Sequence, residues 1–103
     1  MTETGPDSAA FSQDRAAQVA DVFKPLANPV RLRLLTLLQG SPQSVGELVA
    51  ATGLTQSQVS MTLSRLRGDG MLSCTRSEKD SRIMVYAIAD ARLHTLLDMA
   101  RRL

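Results

Sequence analysis

Between Thr55 and Arg67 the chain gathers short hydrogen-bonding side chains, Gln56, Ser57, Ser60 and Ser64, with Met61 among them and Arg65 following. A glutamine amide can meet an adenine edge in a bidentate way. A serine hydroxyl reaches phosphate or base, and a thioether can contact a thymine methyl, so the set suits the major groove of double-stranded DNA. A second group, Asp90, His94 and Asp98, recurs at i, i+4 and i+8, which places all three on one helix face. Carboxylate and imidazole can ligate zinc or nickel. The simpler reading makes Asp90 a helix cap and His94 and Asp98 a solvated pair, and a single histidine is a thin basis for such a site, so no metal and no cofactor is expected. Third is the lone cysteine, Cys74. A redox-sensing thiol needs exposure and an electropositive neighbour, which Arg76 would supply. Strand alternation would equally bury it as a small apolar residue, the commoner fate of cysteine.

These groups need elements to position them, and the hydrophobic periodicity supplies the elements. Ala16, Val19, Ala20 and Phe23 keep helical spacing until Pro25 stops them. Asn28 then caps a second helix with Pro29 in its first turn, Leu34, Leu35 and Leu38 facing inward and Gly40 closing it. Ser44 and Glu47 form a capping box that opens a short third helix, ended by Gly53. Thr55 and Gln58 read as a second capping box, with Leu54 and Val59 as its hydrophobic staple. Val59, Leu63 and Leu66 mark one buried stripe on this fourth helix, which leaves Gln56, Ser57, Ser60, Met61 and Ser64 facing outward; Gly70 ends it.

After Gly70 the period changes from helical to alternating. Ile83, Val85 and Ala87 point one way and Met84, Tyr86 and Ile88 the other, and the polar run from Ser77 to Ser81 separates two strands. Asp90 caps a last helix carrying Leu93, Leu96, Leu97, Ala100 and Leu103. The expected fold is mainly α with a small β-hairpin: four helices, two strands and a fifth helix, a winged helix-turn-helix over residues 11–103 after a polar, disordered tail at residues 1–10. The first and last helices both carry apolar faces that so small a domain leaves partly uncovered, which predicts a homodimer through them.

The bulk composition agrees and excludes other classes. The chain has 103 residues, 44% of them hydrophobic, enough for one modest core. No apolar run approaches the ~18 residues of a membrane span, and no signal-peptide pattern opens the chain, so a cytoplasmic protein without a membrane partner is expected. Residues 22–103 carry 11 Lys or Arg against 6 Asp or Glu, a basic body suited to a polyanion. The three aromatic residues, Phe11, Phe23 and Tyr86, are too few for a single-strand stacking platform. There is no phosphate loop, no nucleophile elbow and no second base for the one histidine, so an enzyme is not expected. On the hairpin, Arg76, Lys79 and Arg82 stand near a DNA backbone if the helix enters the groove, Arg82 foremost. Arg31 and Arg33 on the second helix are phosphate contacts or partners in internal salt bridges. A winged helix used only for protein contacts is the competing reading, but it would not need small polar residues at the front of the fourth helix.

Taken together, residues 23–38 resemble the second-helix signature of the ArsR/SmtB family of bacterial winged-helix repressors, Leu-Ala-(Asp/Asn)-Pro-x-Arg-Leu-x-(Ile/Leu)-Leu. Residues 44–72 are similar to its helix-turn-helix motif, and the likeness spans roughly residues 19–100. It implies a homodimer that binds an inverted repeat and represses transcription. This chain departs from the family pattern where Met61 and Thr62 replace a histidine-containing pair. No cysteine precedes the third helix, and Asp90-Ala91-Arg92 stands where the zinc-type site has Asp-x-His. Neither common metal site carries over. The hairpin is also similar to the Asp-x-Arg wing of the MarR family, whose chains are usually longer. An inducer, whether a small molecule, a thiol oxidant acting at Cys74 or a metal at an unconventional site, would work by favouring a dimer geometry that no longer matches the operator; the alternative is no ligand, with control left to a partner protein.

Overall fold

The computed structural model describes residues 9–103; most of the expected tail, residues 1–10, lies outside them. Helix α1 spans Gln13–Phe23 and passes through a single 3-10 turn, Lys24–Leu26, into α2, Pro29–Gly40. Then come α3, Val45–Thr52, α4, Gln56–Gly68, strands β1, Leu72–Arg76, and β2, Met84–Ile88, and finally α5, Ala91–Ala100. This is the expected order.

Local chemistry sets the helix boundaries. Asn28 Oδ1 accepts from the backbone N–H of Val30 and of Arg31, at 2.9 and 3.1 Å, and starts α2. The Ser44–Glu47 capping box forms in both directions, at 2.9 and 3.1 Å. At Thr55 only half the expected box exists. Its hydroxyl accepts from Gln58 N–H at 3.1 Å, but among the described residues the Gln58 side chain does not return to the Thr55 N–H. Gln58 instead lines a groove beside Asn28 and Met61. Helix α4 stops at Gly68, two residues before Gly70. Gly70 takes φ +78°, its N–H bonding Arg67 O while Met71 N–H bonds Leu66 O, a Schellman close whose turn glycine accepts without strain.

The core forms where the apolar stripes meet. Leu34, Leu35 and Leu38 of α2, Leu48 of α3, Val59, Leu63 and Leu66 of α4, and Leu93 and Leu97 of α5 are buried together with Met71 and Leu72. The hairpin is antiparallel, with Cys74 opposite Tyr86 and Leu72 opposite Ile88. Tyr86 and Ile88 pack against that core. Ile83 falls outside β2 and is 43% exposed, so the strand begins one residue later than the expected alternating run.

A third extended segment joins the hairpin. Gln43, in the α2–α3 connection, pairs through both backbone groups with Tyr86, so β2 is hydrogen-bonded on both edges. The wing is thereby tied directly to the helix-turn-helix. Helix α1, in contrast, has no buried residue. An isolated helix of 11 residues is marginal in water, and the buried core contributes little to holding α1.

Candidate nucleic-acid interface

Helix α4 presents the predicted surface. With Val59, Leu63 and Leu66 facing the core, Gln56, Ser57, Met61, Ser64 and Arg65 are exposed and Ser60 is half-buried at the edge. No hydrogen-bond partner engages the side chains of Gln56, Ser57, Ser60 or Ser64 among the described residues, whereas the neighbouring Thr62 hydroxyl donates back to Gln58 O at 2.7 Å. The four side chains without partners form a row of donors and acceptors at the front of a well-capped helix. Met61, 58% exposed, stands beside them at the rim of a groove of about 190 Å³ that also involves Asn28, Arg31 and Arg65.

The wing carries the remaining predicted contact. Arg82 is gripped by Asp80 in a fork, Nε to Oδ1 at 3.0 Å and Nη2 to Oδ2 at 2.8 Å, and its side chain is still 87% exposed. The guanidinium holds the Asp80 carboxyl below the usual carboxylate range. An exposed pair of this kind contributes little to stability, so a phosphate can compete for Arg82 at small cost. Arg76 braces the turn by donating to Ser81 O at 2.8 Å.

Two arginines of α2 have structural partners that the sequence did not reveal. Arg31 donates to Pro25 O at 3.0 Å and to Lys24 O at 3.2 Å, tying down the 3-10 turn. Arg33 donates to Thr52 O at 3.0 Å, at the C-terminal end of α3, where a positive charge meets the negative end of the helix dipole. Neither forms a salt bridge among the described residues. Arg65 and Asp69 do not pair, and neither do Arg67 and Asp69, among the described residues.

The other candidate groups have separate fates. Cys74 is half-buried on the inner face of the hairpin, opposite Tyr86. Burial pushes the Tyr86 phenol up from its ordinary value, and the adjacent Cys74 thiol pushes it further. On α5, Asp90 caps the helix by accepting from Arg92 N–H and also holds the Arg92 guanidinium at 2.7 Å. Asp98 accepts from Gln39 Nε2 at 2.7 Å, and His94 receives a bond from the same amide only through its backbone carbonyl. The two carboxylates are committed to different partners, and among the described residues no three His, Cys, Asp or Glu stand together as a metal-holding group.

The α1–α5 face is open. A groove of about 440 Å³ runs between the two helices, with Val19, Val22, Phe23 and Leu96 as its apolar lining and Arg15 and Arg92 also contributing. Phe23 and Met99 are half or more exposed.

This architecture recurs in known proteins. Residues 28–73, from the α2 cap into β1, match the family model described as "Bacterial regulatory protein, arsR family". The HTH-type transcriptional regulator NmtR of Mycobacterium tuberculosis is 40% identical over 93 residues, covering 90% of this chain and 75% of NmtR. The chain belongs to the ArsR family. Among solved structures, the AntR antimony-specific transcriptional repressor superposes with a TM-score of 0.79 at 29% identity, over 97% of this chain and 91% of that one. The homodimeric winged helix-turn-helix DNA-binding domain of Mb0332 from Mycobacterium bovis does so with a TM-score of 0.69 at 31% identity, over 90% and 86%. As an ArsR-family winged helix-turn-helix, this protein is a DNA-binding transcriptional regulator and not an enzyme. No helix among the described residues is long and apolar enough to cross a membrane.

Proposed function

We propose that this ArsR-family protein is a repressor that binds an inverted-repeat operator as a homodimer, without either common metal site of the family. The carrying observation is the row Gln56, Ser57, Ser60 and Ser64, whose side chains have no partner among the described residues on a helix whose opposite stripe is buried. A second copy seated on the α1–α5 face would cover Val19, Phe23 and Leu96 and give α1 the packing it lacks in one protomer. The homodimeric state of the relative supports pairing of two copies. Two α4 helices would then enter successive major grooves about 34 Å apart. In this arrangement Gln56, Ser57, Ser60 and Met61 read base edges or adjoining phosphate, Ser64 and Arg65 extend the contact along the strand, and Arg82 reaches the flanking backbone.

Fluorescence anisotropy on the duplex upstream of the protein's own gene, with chelator and reductant present and a scrambled duplex beside it, tests the reading. Tight, salt-sensitive and selective binding is the expected result. Equal affinity for both duplexes would count against an operator-binding repressor.

A further inference from the structure

Beside the recognition helix lies a cleft of about 740 Å³, between the end of α1, the 3-10 turn and the C-terminal part of α4. Its volume lies in the range of small-molecule sites. Lys24, Arg31 and Arg65 contribute three cations to its lining, and Asp21 and Asp69 two carboxylates. Buried Pro25 and Met71 supply apolar surface between them. The opposite charges do not close on one another. The ion pairs among the described residues are Arg82–Asp80 and Arg92–Asp90, so each cation of the cleft stands more than 4.0 Å from either carboxylate.

One cation is also held in place. The two bonds from Arg31 to the carbonyls of Pro25 and Lys24 fix its guanidinium and leave Nη1 without an acceptor among the described residues. A donor already oriented in this way loses little freedom on binding an acid group. Arg65 belongs to two places at once, since it lines both this cleft and the groove beside Met61 on the flank of α4.

We propose that the cleft binds a small hydroxylated organic anion, which competes with DNA for Arg65 and so releases the operator. The acid oxygens accept charge-assisted hydrogen bonds from Lys24, Arg31 and Arg65, and the hydroxyls donate to Asp21 or Asp69. A carboxylate and a phosphate ester meet this requirement equally. The release half rests on the DNA reading above, because only a bound operator makes Arg65 contested. The coupling is reciprocal, so DNA weakens anion binding by the same factor.

Citrate and glucose 6-phosphate are the probes, with sodium sulfate at matched ionic strength as control and chelator in every arm. The wild-type protein and Lys24→Gln are compared, since Lys24 lies off the DNA-facing row. One probe is expected to weaken operator binding about tenfold beyond the sulfate control, within the usual range of allosteric coupling. That excess is expected to vanish in Lys24→Gln, whose DNA affinity without probe stays near wild type. Which probe acts distinguishes carboxylate from phosphate ester. Equal effects of all three anions would reduce the phenomenon to screening and overturn the proposal, as would undiminished release from Lys24→Gln. Calorimetric titration of each probe into DNA-free protein separates the two readings. Binding to wild type that is lost in Lys24→Gln supports the site even where the operator assignment fails, and absence of binding overturns it even where that assignment holds.

Discussion

Gln43 and Tyr86 exchange two backbone hydrogen bonds, Gln43 N–H to Tyr86 O at 3.0 Å and Tyr86 N–H to Gln43 O at 2.8 Å. Gln43 lies immediately before the Ser44 cap of α3, and Tyr86 lies at the middle of β2. The wing and the helix-turn-helix are therefore joined across β2, and Arg82 is carried at a set position relative to α4. The Gln43 side chain adds a bond to Leu37 O at 3.2 Å, which anchors the same junction to α2.

Position on α4 predicts opposite responses to truncation. Leu63 is fully buried, and Leu63→Ala should lower unfolding free energy by about 2–5 kcal/mol. Met61 is 58% exposed, and Met61→Ala should stay within about 0.5 kcal/mol of wild type while weakening operator binding. Urea denaturation read by circular dichroism measures both, and a large stability loss for Met61→Ala would show that it packs inward.

The α1–α5 face predicts a clean route to monomers. Phe23 is half exposed and Leu96 is only half-buried, so Phe23→Glu with Leu96→Glu should leave the protomer core intact and place charge in the proposed dimer contact. Light scattering after size exclusion should report a dimer for wild type and a monomer for the double variant, with operator affinity reduced at least tenfold in the variant. A variant that stays dimeric would move the interface elsewhere.

Acid stability should depend on Asp90. The Arg92 guanidinium, by hydrogen bonding, holds the Asp90 carboxyl below its ordinary value of 3.8. A carboxyl depressed in the folded state stabilises above its unfolded pKa, and that contribution fades as pH falls through the folded value. Asp90→Asn keeps a good helix cap but removes the charge. Its Tm should therefore fall below wild type near pH 7, and the gap should close below about pH 4. A gap that persists unchanged into strong acid would remove the Asp90–Arg92 pair from the account.

Features made by neighbouring residues were legible in the sequence. The caps at Asn28 and Ser44, the Gly53 stop and the buried stripe of α4 each depend on residues within two turns of one another. The front of α4 was readable for the same reason, because the stripe defines what remains outside. Contacts between distant segments were not. Nothing in the residue types marks Gln43 as a partner of β2, and nothing marks the backbone carbonyls that Arg31 and Arg33 hold, because only the fold brings them within reach. The half-formed box at Thr55 has a related cause, since Gln58 lies beside Asn28 only after α2 and α4 have packed.

The most direct test of the reading surface is the double variant Gln56→Ala, Ser60→Ala, titrated by fluorescence anisotropy against operator and scrambled duplexes at one salt concentration. Each lost base contact is worth about 1–3 kcal/mol. The operator affinity should fall to the level of the scrambled duplex while Tm and the dimer mass stay near wild type. A double variant that still selects the operator would show that the polar front of α4 does not read DNA.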